Sequence, residues 1–176
     1  MIEYETKVLD IDKEKIISML RELWAQESEE VFYKRWVYVI KDEWDDVEFI
    51  RIRDDGKHTT MTWKWRNGYD VWATQEIELV VDDSEKINLI LSKLVFKEMF
   101  YRENYRKKFN LWDTEFCIDT RPMIPPYLEI ESFSVEKINE WLDLLWLQGK
   151  DVWDLWSRWI YSRYWIDVDA QSRLTF

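Results

Sequence analysis

The 176-residue sequence predicts one α+β domain, residues 1–176, in which strands outnumber helices. Three observations carry this. Runs rich in β-branched and aromatic residues recur along the chain. Short turn signals, Asp54-Asp55-Gly56 and Asn67-Gly68, join some of these runs as hairpins. Apolar stripes at helical spacing separate others, and no Pro/Gly/Ser-rich linker interrupts them.

Taken in order, Glu3-Tyr4-Glu5-Thr6-Lys7 reads as a strand. Its alternation sends Glu3, Glu5 and Lys7 to one face and Tyr4, Thr6 and Val8 to the other. Ile16, Ile17, Leu20, Leu23 and Trp24 predict a helix within 11–26. Strands follow over 32–40, 47–53, 59–66 and 74–81. Asp82, Asp83 and Ser84 then offer caps to a second helix with its stripe at Ile87, Ile90, Leu91 and Leu94. Strands return over 99–109, 115–120 and 127–132, the last two separated by Pro122, Pro125 and Pro126. Ser134 caps a third helix through Ile138, Trp141, Leu142 and Leu145, and a fourth spans 150–164. A loose repeat runs through this order. Three times a Glu-x-Glu strand leads to a helix beginning Glu-Lys-Ile: Glu3/Glu5 to Ile16, Glu76/Glu78 to Ile87, and Glu129/Glu131 to Ile138.

The strands share a further pattern, one ionic face and one apolar face. Arg51 and Arg53 oppose Ile50 and Ile52. Thr62, Lys64 and Arg66 align, as do Asn104, Arg106 and Lys108. Glu76 and Glu78 oppose Ile77 and Leu79, and Glu129 and Glu131 oppose Leu128 and Ile130. Adjacent Lys34 and Arg35 point to opposite faces, and the pattern does not choose between them. Two arrangements fit: a sheet packed on helices with its ionic face in water, or a barrel with the apolar face outward under helices and the charges lining its interior. Unpaired buried charge is very costly, so the second requires acids, bases, water, metal and ligand to neutralise one another. Its chemistry would be legible. Arginine forks and lysines suit a polyanion such as a triphosphate. Paired carboxylates suit Mg2+ or Mn2+, which bridge phosphate oxygens in phosphoryl transfer.

Composition narrows the classes. The formal net charge of −11 argues against broad nucleic-acid binding. No apolar run reaches the ~20 residues a membrane helix needs, and no secretory signal is visible, so a cytoplasmic protein is expected. Cys117 is the single cysteine and His58 the single histidine, which excludes an intrachain disulfide and a cysteine-built zinc site and argues against histidine-dependent triads. His58 follows a turn and is expected in solvent. Glycine occurs only three times and tryptophan thirteen times. Trp24, Trp146 and Trp165 stand where a helix normally ends in a left-handed glycine. Either these helices end differently or the chain has been altered from a parent.

The ordered motifs resemble the CYTH family, the triphosphate tunnel enzymes. Glu3-Tyr4-Glu5-Thr6-Lys7 resembles its N-terminal Glu-x-Glu-x-Lys signature. FIRIRDDG, TMTWK, QEIEL, YRENYR and IDTRPMIPPYLEIE follow in the family's order, and the closing IYSRYWIDVDAQSRLTF is similar to its bacterial tails. The resemblance implies an antiparallel eight-stranded β-barrel, the tunnel, with helices packed outside. It implies hydrolysis of inorganic or organic triphosphates, or class IV adenylate cyclase activity, with Mg2+ or Mn2+. An inactive, altered binding or assembly protein on the same fold is the remaining alternative. By position, Lys7, Arg51, Arg53, Lys64 and Arg106 would hold phosphates. Glu3, Glu5, Asp119, Glu129 and Glu131 would bind metal or its water. Glu76 and Glu78 would balance the bases and bind metal, and Glu5, Lys7 and Arg53 would carry catalysis. Arg102, Lys107 and Lys108 read as solvated charges, and the aromatic excess as packing between helices and barrel. Some positions depart from the family. Asn104 stands where a basic residue often helps. Trp24, Val95, Trp146 and Trp165 replace glycines. Trp153, Trp156 and Trp159 crowd the last helix, so a tryptophan-rich surface could join copies into a homo-oligomer.

Overall fold

Among the described residues, eight of the nine strands follow one hydrogen-bonded path, β1-β8-β7-β6-β2-β3-β4-β5. They are β1 (Tyr4–Val8), β2 (Gln26–Glu43), β3 (Asp46–Asp54), β4 (Thr59–Asn67), β5 (Thr74–Val81), β6 (Glu98–Leu111), β7 (Thr114–Thr120) and β8 (Tyr127–Ser132). The helices are α1 (Lys13–Glu22), α2 (Ser84–Leu91), α3 (Val135–Leu144) and α4 (Ser157–Ser162). This computed structural model describes residues 4–43, 46–67, 74–94, 96, 98–152 and 157–176. Glu3, Gly68, Val95, Trp153 and Trp156 lie outside the described residues. The α+β class and the eight antiparallel strands are those expected. Among the described residues, no helix is long and apolar enough to cross a membrane.

Three elements differ from the sequence reading. The fourth helix, expected over 150–164, does not include Lys150–Val152: Asp151 bridges Val8 and Val152 N donates to the Lys7 carbonyl at 2.8 Å, so these residues are held extended against β1. β2 begins at Gln26, six residues before the predicted strand. The acidic stretch Gln26–Glu30 has poor strand propensity, but tertiary partners hold it. Lys108 N donates to Ser28 Oγ at 3.1 Å, and Lys107 Nζ reaches Glu27 at 2.6 Å. A ninth strand, β9 (Arg173–Leu174), pairs parallel with β6 at Tyr101 and Arg102. Two residues are too few to show a period.

The repeated Glu-Lys-Ile is a helix-start cassette. Asp12, Asp83 and Ser134 precede it, and each side chain accepts the backbone N–H of the lysine, at 3.1, 2.9 and 3.2 Å. The isoleucine N–H then reaches the cap carbonyl, at 3.0, 3.2 and 3.2 Å. The glutamate sits in the first turn, where the helix dipole favours negative charge.

The helix ends resolve the tryptophan question. Trp24, Trp146 and Trp165 hold φ of 61°, 58° and 60°. At each, the tryptophan N–H bonds back three residues. The following residue bonds back five: Ala25 to Leu20, Leu147 to Leu142, and Ile166 to Tyr161, at 3.0, 2.7 and 3.2 Å. These are Schellman closures. The helices therefore end as glycine-capped helices do, with tryptophan in the glycine's place. Trp24, Trp146 and Trp165 are 91%, 76% and 96% exposed, and Trp112, in the β6–β7 turn at φ 53°, is 80% exposed. The aromatic excess is thus partly a surface feature. Packing accounts for others, such as Trp141, buried with its indole N–H on Thr114 Oγ1 at 2.9 Å.

The chain divides into two compact units. Unit one comprises Met1–Val31 and Tyr105–Asp169. In it, Ile16, Ile17 and Leu20 of α1 and Ile138, Trp141 and Leu142 of α3 join Val8, Phe109, Phe116, Ile118, Leu128 and Ile130 from the strands in one core. Unit two comprises Phe32–Asn104 and Ala170–Phe176. Its smaller core joins Tyr38, Ile52 and Leu91, flanked by Trp36, Ile50, Met61, Ile87 and Phe96. Because strand side chains alternate, burying these residues turns the ionic set of each unit to the opposite face.

Candidate functional site

In unit one, antiparallel register sets the ionic side chains side by side. Lys7 pairs with Glu129 and Glu5 with Glu131 across β1 and β8. Glu129 pairs with Cys117, and Glu131 with Glu115, across β8 and β7. Arg106 pairs with Asp119, and Lys108 with Cys117, across β6 and β7. Directly opposed residues share a face, so four strands present one ionic surface.

Arg106 organises it. Its Nε donates to Asp119 Oδ1 at 2.7 Å, and its Nη2 donates to Asp119 Oδ2 at 2.8 Å and to Glu129 Oε1 at 3.0 Å. Asp119 is fully buried and also accepts from Tyr127 Oη at 3.0 Å and Arg121 Nη2 at 3.3 Å. Arg121 lies over the Tyr127 ring, 5.1 Å from its centroid. Lys7 Nζ donates to Glu5 Oε1 at 2.7 Å and stands 3.6 Å from Glu129 Oε2. Burial would raise the Glu129 carboxyl, but the charges of Arg106 and Lys7 outweigh it and hold it at about 2. Glu129 is therefore an anion at neutral pH.

Glu5, Glu129 and Glu131 each offer an oxygen within 4.8 Å of the others. Three hard carboxylate donors suit Mg2+ or Mn2+. The nearby thiol does not redirect the site to soft metals, because burial pushes the Cys117 thiol far up and keeps it protonated. Of the residues expected to bind metal, these three come together. The oxygens of Asp119 are taken up by Arg106, Tyr127 and Arg121, Glu76 and Glu78 belong to unit two, and Glu3 is outside the described residues.

In unit two, β3 and β4 pair Arg51 with Thr62 and Phe49 with Lys64, while β4 and β5 pair Lys64 with Glu76 and Thr62 with Glu78. Lys64 Nζ is bonded to Glu76 Oε1, and Thr62 Oγ1 donates to Glu78 Oε2 at 2.6 Å. Glu76 and Glu78 are exposed. The Arg53 guanidinium lies over the Tyr33 ring at 5.4 Å. On the other face, Trp63 and Trp65 donate their indole N–H to Glu48 and Asp46 at 2.7 and 2.9 Å.

Several charged residues escaped the sequence reading. Lys108 is not a solvated charge: its Nζ bonds both Glu115 oxygens at 2.9 Å. Its two-residue spacing from Arg106 was the available signal. Lys107, expected in solvent, is largely buried against Glu27, and Arg102 donates to the Tyr101 carbonyl at 3.0 Å. Arg121 follows Asp119 by two residues, a spacing obscured because Arg-Pro reads as a turn. His58 is exposed as expected.

The chain is 32% identical over 143 residues to "Putative adenylate cyclase MJ0240" of Methanocaldococcus jannaschii, covering 80% of this chain and 81% of that protein. Among solved structures, a conserved hypothetical protein of Pyrococcus furiosus matches with a TM-score of 0.70 at 22% identity, over 85% of this chain and 93% of that one. The Hippeastrum protein HpAC1, described as a "putative adenylyl cyclase" with a dominant triphosphatase activity, matches with a TM-score of 0.56 at 14% identity, over 93% and 95%. At these identities the structural likeness shows the fold alone. No protein-family model matches the chain.

Proposed function

The chain belongs to the family of Methanocaldococcus jannaschii MJ0240, and from that premise we propose a CYTH-type triphosphate tunnel enzyme that hydrolyses inorganic or organic triphosphates with Mg2+ or Mn2+. The observation that carries the reading is the convergence of Glu5, Glu129 and Glu131 within 4.8 Å, beside Lys7 and Arg106, on one face of unit one. Acids alone would suit a cation and bases alone an anion. Both together suit an anion that arrives with its cation.

The residues divide the work by charge. Glu129, held at about 2 by Arg106 and Lys7 against the cost of burial, is a permanent counter-charge and a poor proton acceptor. With Glu5 and Glu131 it would hold the metal, which when bound would neutralise charge on the phosphate oxygens. Lys7 and Arg106 orient the phosphates on this face, and Arg51, Arg53 and Lys64 offer the same chemistry on unit two. In hydrolysis, a water oxygen bonds to the terminal phosphorus as the bridging P–O bond breaks. The electron pair leaves with the diphosphate portion, and the water proton passes to a carboxylate, for which Glu5 is the candidate. Asp119 holds Arg106 in place from behind.

The relative's name favours a second reading, an adenylate cyclase in which the ribose 3′-oxygen of ATP gives up its proton to a carboxylate and bonds to the α-phosphorus, as the bond from that phosphorus to the bridging oxygen breaks and pyrophosphate leaves with the electron pair. The exposed Trp24, Trp112, Trp146 and Trp165 favour a third, a non-catalytic assembly protein. One screen separates them: phosphate release from tripolyphosphate, thiamine triphosphate and ATP with Mg2+ or Mn2+, cyclic AMP formation from ATP, and light scattering against concentration. Metal-dependent phosphate release is expected, falling about a hundredfold in Glu5→Ala and Arg53→Ala, a loss of about 3 kcal/mol. Cyclic AMP would identify the cyclase. Concentration-dependent oligomers without turnover would identify the assembly protein and end the enzyme reading.

A further inference from the structure

One row of three residues crosses unit one on its ionic face. Tyr127 of β8 is in register with Asp119 of β7, and Asp119 with Arg106 of β6. Tyr127 and Asp119 are both fully buried. The Tyr127 phenol donates to Asp119 Oδ2 at 3.0 Å. The same oxygen receives Arg106 Nη2 at 2.8 Å and Arg121 Nη2 at 3.3 Å, and Asp119 Oδ1 receives Arg106 Nε at 2.7 Å. Asp119 thus serves two guanidiniums at once, while the phenol holds it from the strand on its far side.

A phosphate asks more of Arg106 than its charge. A guanidinium fork meets two oxygens at once only when its plane is aimed at them, and a group held by fixed partners keeps its aim. A carboxylate shared by two guanidiniums can turn toward either, and a turn toward Arg121 would swing the Arg106 fork with it. A third donor fixes that rotation, and a fixed carboxylate fixes the fork that rides on both its oxygens. We propose that Tyr127 is a positioning residue: through Asp119 it sets the plane of the Arg106 guanidinium that receives the triphosphate. The inference rests on the triphosphate reading above. Tyr127 acts at second hand, its phenol spent on Asp119. Phenylalanine would fill nearly the same volume, so the hydroxyl is the atom that carries the role.

The test is calorimetric titration of tripolyphosphate, at fixed Mg2+, into the full chain and into Tyr127→Phe, Arg106→Lys, the double variant, Asp119→Asn and Tyr38→Phe, each checked for folding by circular dichroism. Tyr38 supplies the control, since its phenol is likewise buried and donates to Asn88 Oδ1 at 2.9 Å in the core of unit two. Tyr127→Phe is expected to weaken binding about tenfold, the scale of one lost hydrogen bond, and Tyr38→Phe to bind as the parent does. Arg106→Lys keeps the charge and removes the fork. With no fork to aim, Tyr127→Phe should weaken the Arg106→Lys protein no further, as holds for residues that act through one another. Parent-like affinity in Tyr127→Phe, alongside loss in Arg106→Lys, overturns the role of Tyr127 and leaves the triphosphate reading standing. The same loss in both backgrounds, or an equal loss in Tyr38→Phe, reduces the effect to a loosened fold and also overturns it. Should the double variant fail to fold, the comparison with Tyr38→Phe decides. Should Tyr127→Phe itself fail to fold, parent-like affinity in Asp119→Asn overturns the relay instead. If the unaltered chain binds no tripolyphosphate, the triphosphate reading fails and this inference with it.

Discussion

Trp24, Trp146 and Trp165 occupy a backbone region that costs an L-residue roughly 1–2 kcal/mol, and their exposed rings recover little of it by packing. Replacing any one with glycine is expected to raise stability by about 1 kcal/mol, read as a higher denaturant midpoint at unchanged slope. Trp112 should gain less. Its ring stands 5.6 Å from that of Trp141 and under the Lys137 ammonium at 5.5 Å, contacts that glycine would remove. A fall in stability on Trp24→Gly would show that the ring makes contacts of its own. At this scale the sequence was half legible. The positions were identifiable because the chain has almost no glycine. Which alternative held depended on hydrogen bonds reaching five residues back, which no propensity records. Lys34 and Arg35 were undecidable for a similar reason: adjacent strand residues always take opposite faces, and only the partner strand says which face is which.

Elements were easier to read than their limits. The stripes of α1, α2 and α3 and the alternation of β3, β7 and β8 came directly from apolar spacing. The start of β2 did not, because an ion network supplies what propensity lacks. Arg21, in the last turn of α1, donates from Nε and Nη2 to Glu27 at 2.7 and 2.8 Å, and Lys107 of β6 reaches the same carboxylate at 2.6 Å. Hydrogen bonds from Arg21 and then Lys107 lower the Glu27 carboxyl from its ordinary 4.5 to about 2. A depressed carboxylate stabilises the fold above its unfolded value and loses that contribution as pH falls through the folded one. The parent should therefore lose stability relative to Glu27→Gln between pH 4.5 and about 2. The difference should shrink in 1 M salt, because the group is exposed and screened. Parallel stability curves for the two proteins across that window would exclude Glu27 as the anchor of this junction.

On the scale of the whole molecule, the hairpin of β3 and β4 was legible from Asp54-Asp55-Gly56, since a short turn dictates its own pairing. The rest of the path was not. β1 pairs with β8 and β6 with both β7 and β2, partners brought together by collapse of the apolar faces rather than by any local signal. The division of ionic residues between two units was equally invisible, although their number and alternation were not. One consequence concerns Cys117, the single thiol of the chain, buried between Arg106, Lys108 and Glu129. A thiol reagent can reach it only when the ionic side chains that cover it move aside, so labelling kinetics become a clock for the opening of this face of unit one. A polyphosphate that clasps those strands should slow the clock, and one that docks elsewhere should leave it running at the same rate.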